Sequence, residues 1–511
     1  MASRIVMAQR DRISPYASRS TPRPRRLASR LFPSGLKREP MLVPSLLGVA
    51  DPPQLLPARE QMAFTLGFHI IIVPFGVAFT FMMLICHFRA LRYGDQQALL
   101  LAQRWSRVAA VLFAVGAVSG TVLTFELGLL WPGLMGAYGA AFGFPFAIEG
   151  LFFFLEAIFM AIYIYGWTRL PPWPHFFTGV VVTLSGVGGT AAVIAANSWM
   201  NQPGGFTVRN GRVTDVVPSK VFFNGAFWWE MVHMLVAAYI VAGFMVAGVY
   251  AWGLLKGRRD RYHRLGFLVP FTVASISMPL QFLVGDTIAR QVFDREPAKF
   301  AAFELVPSTA DHVPETLGGV IVNGAVRFGL PIPDVASLLA GFRPSITIRG
   351  LDAIPAPVRP DDAVVNVVHL AFDVMVGTAS LLLLLSLWFA WFWWRRREVP
   401  ANRWFLRGAG VAGLVALASL ESGWVVTEVG RQPWTVVGVL LTRDAVATQG
   451  NLWPLFASVL AIYLCVGIGA LLVLRTMRRK WSEHDPETVA VPYGPYPAPA
   501  STDHADGADG R

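Results

Sequence analysis

The chain has 511 residues, of which 54% are hydrophobic and only 15% charged, with a mean hydropathy of +0.50. Soluble domains carry about a quarter charged residues, so a string of soluble domains is excluded. The net charge of +11 fits basic loops at a membrane surface and gives no reason to invoke a nucleic-acid partner. Both cysteines, Cys86 and Cys465, lie in apolar runs, which leaves no disulfide framework and no cysteine metal site.

Residues 1 to about 60 are rich in Arg, Ser and Pro, as in Thr21-Pro22-Arg23-Pro24-Arg25-Arg26, and cannot bury a core. A disordered extension is expected there. No apolar region adjoins its basic run, so it does not read as a signal peptide. Nine apolar spans follow, at about 63–87, 108–131, 145–167, 176–199, 227–255, 265–285, 366–394, 408–427 and 452–475. Basic residues gather after spans one, three, five, seven and nine (Arg89, Arg169, Lys256, Arg395 and Arg475 among them). Short loops rich in Lys and Arg stay in the cytoplasm. The expected fold is an all-α polytopic membrane protein with nine transmembrane helices, its N-terminus outside and its C-terminus cytoplasmic. A membrane domain covers 61–480, a long outer connection 286–365 belongs to it, and a disordered tail covers 481–511. The basic residues of the first 40 positions oppose this orientation, and a start at Met41 would remove nearly all of them. Residues 1–40 are therefore expected to be an upstream over-extension or a cleaved piece.

Ionisable residues at membrane depth are costly and usually face the bundle interior. The segment from Gly423 to Trp434 closes span eight, and helical spacing sets Glu421, Trp424, Glu428 and Arg431 near one stripe. An interfacial anchor would explain Trp424, Arg431 and Trp434, but not Glu428. His69, early in span one, is either an interhelical hydrogen-bond partner or an axial haem ligand. His233 and Met375 stand near the outer starts of spans five and seven, where a His/Met pair could hold one haem iron; Met375 alone would read as ordinary packing. His369 and Asp373, one turn apart, could simply pair. Glu149 and Glu156 share a helix face, and Glu126 adds a third carboxylate of the kind found in proton paths. In the outer connection, Lys299 and Glu304 could hold a quinone head group, although a solvated surface helix would carry such charges too.

Together these stretches resemble subunit I of cytochrome bd quinol oxidase. The resemblance runs over about residues 60–475. Its most specific motif is Gly430-Arg431-Gln432-Pro433-Trp434 with Glu428. Ala147-Ile148-Glu149-Gly150, Asn197-Ser198-Trp199-Met200-Asn201-Gln202-Pro203, and Gly285-Asp286 leading to Pro297 through Glu304 support it. The resemblance implies the catalytic subunit of a respiratory terminal oxidase that oxidises quinol and reduces dioxygen to water. It implies His233 and Met375 as ligands of a low-spin haem b, and His69 and Glu428 as ligands of a high-spin haem b and of haem d or a further haem b. Trp424 and Arg431 would pack around the haems. Glu149 and Glu156, with Glu126, would deliver protons, and Lys299 and Glu304 would meet quinol. A homologous second subunit, a small single-span subunit and the bacterial cytoplasmic (inner) membrane complete the implied setting. Departures are Asp373, where the family usually has Arg or Gln, and Phe303, where methionine is common. The short quinol loop resembles the cyanide-insensitive branch. The alternatives are a non-oxidase quinone-linked cytochrome b subunit and a transporter.

Overall fold

The computed structural model describes residues 51–209, 212–483 and 492–493. The proposed over-extension 1–40 and nearly all of the expected tail lie outside the described residues. Among the described residues, nine helices are long and apolar enough to cross a membrane. They are α1 Leu55–Tyr93, α2 Gln96–Leu130, α3 Pro132–Gly166, α4 Pro172–Asn201, α5 Phe227–Leu255, α6 Arg261–Arg295, α7 Asp362–Arg396, α8 Arg403–Val429 and α9 Trp453–Ser482.

All the helices but α5, which matches its window, outrun the apolar stretch that announces them. α1 begins at Leu55, inside the segment expected to be disordered, and α6 continues to Arg295, through the first ten residues of the expected 286–365 connection. A hydropathy window detects only the stretch suited to lipid. The helical hydrogen-bond ladder continues beyond it wherever side chains tolerate water. With 35 residues, α6 is about 52 Å long against a hydrocarbon core of about 30 Å.

Caps set several boundaries. α1 stops at Gly94, whose φ of +66° suits a residue without Cβ. Asp95 then caps α2 by accepting from the Ala98 N–H at 3.3 Å. The same carboxylate takes Arg89 at 2.7 Å and Arg261 at 2.6 Å, so it joins the ends of α1, α2 and α6. Inside α1, Pro74 lacks an N–H, and the helix widens into a π turn over Phe75–Phe79.

Apolar side chains gain little from leaving lipid for protein, so close packing decides how the helices assemble. α5 runs along α6, α3 along α4, and α8 bridges α5 and α7. Small residues permit these approaches. A Cβ on Gly243 of α5 would lie 2.7 Å from the Pro270 carbonyl of α6, and one on Gly413 of α8 would lie 2.4 Å from the Met245 backbone. Phe244, Phe271, Phe389 and Phe405 fill the resulting core with edge-on and stacked ring contacts.

Because successive helices alternate in direction, odd-numbered helices all start on one face. That face carries the three long connections, after α4, α6 and α8, and is called the loop face below. The connection after α6 is ordered. It holds a short helix Pro297–Phe303 and two small antiparallel ladders, Glu315–Leu317 with Leu330–Ile332 and Val320–Val322 with Ala325–Arg327. Asn323 and Gly324, both at positive φ, form the two-residue turn that the right-handed twist of a hairpin favours. Asn366 of α7 pins this hairpin by accepting from the Ile321 N–H at 2.6 Å and donating to its carbonyl at 3.0 Å.

Candidate functional site

His69, His233, Met375 and Glu428 all lie toward the loop face. Each of the first three has a glycine facing it from a neighbouring helix. A Cβ on Gly120 of α2 would sit 3.1 Å from His69 Cε1. One on Gly285 of α6 would sit 3.4 Å from His233 Cε1, and one on Gly423 of α8 would sit 3.1 Å from Met375 Sδ. Lacking a Cβ, each glycine lets the side chain pack directly against the neighbouring helix.

The hydrogen bonds of His69 prepare one ring nitrogen for a metal. Its Nδ1 lies 2.8 Å from Ser119 Oγ, and Ser119 Oγ donates its single proton to the Gly116 carbonyl at 3.1 Å. Ser119 must therefore accept, so Nδ1 carries the proton and Nε2 keeps a lone pair. His233 is approached by Gln281 Nε2, at 3.3 Å from Nδ1 and 3.2 Å from Nε2. Ser419 of α8 donates to the Met375 carbonyl at 3.0 Å and fixes the α7–α8 register there.

Glu428 ends α8. One of its oxygens accepts from Asn197 Nδ2 of α4 at 2.5 Å, and the other is ion-paired to Arg431. Arg431 is 6% exposed, yet its Nε and Nη1 have no partner in the protein. Two buried cationic donors without acceptors call for an anion, and haem propionates are of that type. Trp424 packs partly buried against the α5–α8 core. Glu421, on the same stripe, places Oε2 3.6 Å from where a Gly67 Cβ would stand.

Among the described residues no three His, Cys, Asp or Glu side chains gather as a bare metal site. Haem needs no such cluster, because the macrocycle supplies four nitrogens and the protein one or two axial ligands. The free His69 Nε2 and the unpaired Arg431 donors both fit haem.

The three carboxylates do not form one string. Glu156 lies with Oε1 buried, 3.6 Å from Cβ positions at Gly76 in the π turn and at Gly186 of α4. Glu149 is two turns away on the same helix. Glu126 points elsewhere, accepting from Gln61 at 2.7 Å and Thr65 at 3.1 Å, both on α1.

Lys299 and Glu304 do not act as a pair either. Five positions on a helix are about 140° apart in projection, and the two side chains part accordingly. Lys299 turns toward α4, where Nζ meets Glu296 at 2.5 Å and Asn201 at 3.0 Å. Its stem lies against Gly430, and a cleft beside it is lined by Glu296, Arg431, Pro355 and Trp434. Glu304 turns toward α7 and the Glu315 strand. His369 and Asp373 do approach, at 3.5 Å, although both His369 nitrogens make closer contacts with carbonyls.

Several residues escaped the sequence reading. Asn197 and Asn201 stand in the quoted Asn-Ser-Trp-Met-Asn-Gln-Pro segment, and their spacing of four could have marked a shared face. Glu230, one turn before His233, meets Asn201 at 3.4 Å. Glu296 could have been found from its i,i+3 relation to Lys299. Nothing in the sequence pairs Glu315 with Glu304.

The family model for cytochrome bd terminal oxidase subunit I matches residues 57–481. The chain belongs to that family. A Bacillus subtilis relative named as a cytochrome bd menaquinol oxidase subunit I is 32% identical over 435 residues, covering 83% of this chain and 97% of the relative. A Bacillus subtilis cytochrome bd ubiquinol oxidase subunit 1 is 30% identical, covering 84% and 95%. The bd oxidase structure from Geobacillus thermodenitrificans superposes with a TM-score of 0.77 at 31% identity, covering 84% of this chain and 98% of that one. A cytochrome bd subunit I is a haem-bearing, multi-pass membrane protein, and the non-oxidase and transporter readings are not favoured.

Proposed function

We propose that this cytochrome bd subunit I oxidises quinol at its loop face and reduces dioxygen to water within the bundle. The observation that carries the reading is Arg431, ion-paired to the candidate ligand Glu428 and holding two further buried donors without partners. His233 and Met375 would hold a low-spin haem b. His69 and Glu428 would hold a high-spin haem b and haem d or a further haem b. Bound there, haem supplies one-electron transfer and an open iron position for dioxygen. Ser119 keeps His69 in the ligating tautomer, and Asn197 and Arg431 orient Glu428. Gly76 and Gly186 leave room for Glu156 beside the bundle centre, from which it would pass protons inward with Glu149; Glu126 would serve a separate α1–α2 branch.

Quinol would approach the cleft near Lys299 or the surface near Glu304, so these two residues would act at different points around the substrate. The loop face would be the outside and the Arg-rich face the cytoplasm, in a bacterial cytoplasmic membrane. Proton release and uptake on opposite sides would then build a membrane potential. A second subunit fits the apolar surface of α3, where Leu151, Phe154 and Ile158 are exposed; a small single-span subunit would be a further partner.

The test is a reduced-minus-oxidised spectrum of the purified complex, repeated with Met375→Leu. The expected result is loss or a large shift of the low-spin band with high-spin signals retained. An unchanged low-spin band would overturn the Met375 assignment.

A further inference from the structure

His369 of α7 ties together two loop segments that each carry a buried carboxyl. Its Nδ1 contacts the Phe303 carbonyl at 2.7 Å, and its Nε2 contacts the Gly318 carbonyl at 2.9 Å. Phe303 directly precedes Glu304, and Gly318 follows the strand that begins at Glu315. The clamp brings the two segments together, with the two carboxyls close enough for a hydrogen bond. Two carboxyls make such a bond only when one of them holds a proton. Glu304 is 5% exposed, and Oε2 of each carboxyl is buried with no donor group against it.

The surroundings favour retention of a proton. Burial, then the charge of Glu315, holds Glu304 well above the usual carboxylate range. Glu315 is raised as well, by burial first; Asp373 adds to the rise, while the Glu304 hydrogen bond and His369 oppose it. Lys299 does not neutralise the pair, because it is engaged by Glu296. Asp373 already accepts from the Gly318 N–H at 2.5 Å.

We propose that Glu304 and Glu315 form a proton-sharing carboxyl pair through which the quinol proton leaves. The proposal rests on the quinol reading given above and adds Glu315 to it. The Glu304 carboxyl accepts the quinol hydroxyl. On oxidation the quinol O–H bond breaks and an O–H bond forms at the Glu304 oxygen not shared with Glu315. In the same step the proton that Glu304 already held moves to Glu315, so one Glu304 O–H bond breaks as a Glu315 O–H bond forms. The electron leaves for the oxidase's terminal acceptor, dioxygen. Glu315 is only half-buried and discharges its proton, so the second quinol proton follows the same route. The pair therefore needs one proton and one vacancy. Filling both sites as pH falls blocks it, which gives kcat an acid limb.

The measurements are quinol oxidation and tetramethyl-p-phenylenediamine oxidation by the purified complex. The second donor delivers electrons without using this proton route. Glu315→Gln keeps the hydrogen bond but removes the proton's destination. The expected result is a fall of about a hundredfold in the ratio of quinol to diamine turnover. Quinol KM should stay within about twofold, and the acid limb should disappear. Glu315→Asp should restore part of the ratio. An unchanged ratio in Glu315→Gln, or parallel loss with both donors, overturns the pair. Glu304→Gln separates the two layers of the argument. If it leaves quinol kcat and KM unaltered, the quinol reading itself fails. If it lowers quinol turnover and Glu315→Gln does not, only the pair fails. An acid limb that persists in Glu304→Gln also overturns the pair, whether or not Glu315→Gln assembles.

Discussion

The helical bundle and the loop face solve the placement of polar groups in different ways. Within the bundle, each candidate haem ligand is held by one or two bonds from nearby residues, and three of the four pack against a glycine. In the connection after α6, polar groups are held by contacts between segments far apart in the chain, as when His369 joins Phe303 to Gly318. The first arrangement leaves one His69 nitrogen and two Arg431 donors without protein partners. The second leaves protonatable oxygens beside each other. On the readings proposed above, the first region would seat cofactors and the second would release the quinol protons.

The largest effect should come from breaking the loop face. Lys299→Met would leave Glu296 buried with its charge uncompensated, at a cost of about 3–5 kcal/mol. Thermal unfolding of the purified complex should show a clearly lowered midpoint, while the reduced haem bands keep their positions. Haem bands that shift instead would mean the two regions are not separable. A smaller effect is expected within the bundle. Ser119→Ala removes the partner of His69 Nδ1 and should weaken retention of the haem that His69 holds by about 10- to 100-fold. Spectral titration after partial haem extraction would measure it, and unchanged retention would show that Ser119 does not set the tautomer. The smallest effect concerns pH. Since Glu304 is raised in the fold, its contribution to loop stability is full below the unfolded glutamate value, about 4.3, and declines as pH rises toward and through the raised value. Limited proteolysis of the 296–361 connection should therefore quicken with rising pH, after correction for the protease's own profile. In Glu304→Gln that dependence should weaken, the remainder coming from the raised Glu315.

What could be read in the sequence follows the same division. Apolar runs and the 3.6-residue period locate nine spans, and the stripe holds from Glu421 to Glu428 because α8 is regular up to Val429; Arg431 stands in the turn beyond it and meets Glu428 from there. Helical order also makes the Glu149–Glu156 relation readable. Beyond the spans, neither rule operates. The split between Lys299 and Glu304 depends on a seven-residue helix whose orientation is set by Glu296, Asn201 and α7. The Glu304–Glu315 contact depends on a hairpin pinned by Asn366, which no local pattern announces. Glu126, Glu149 and Glu156 are alike in being acids within apolar spans, yet that likeness does not say which helix a side chain faces.

The π turn at Phe75–Phe79 has a further bearing on α1. It holds one more residue than a regular turn would, without breaking the ladder of backbone bonds that lipid demands. The two halves of α1 are thus out of phase with each other by roughly 100°. His69 on one side can address α2 while Gly76 and the residues after it address α3 and α4. A single helix therefore serves two neighbourhoods as if it were two, and changes in one half need not rotate the other.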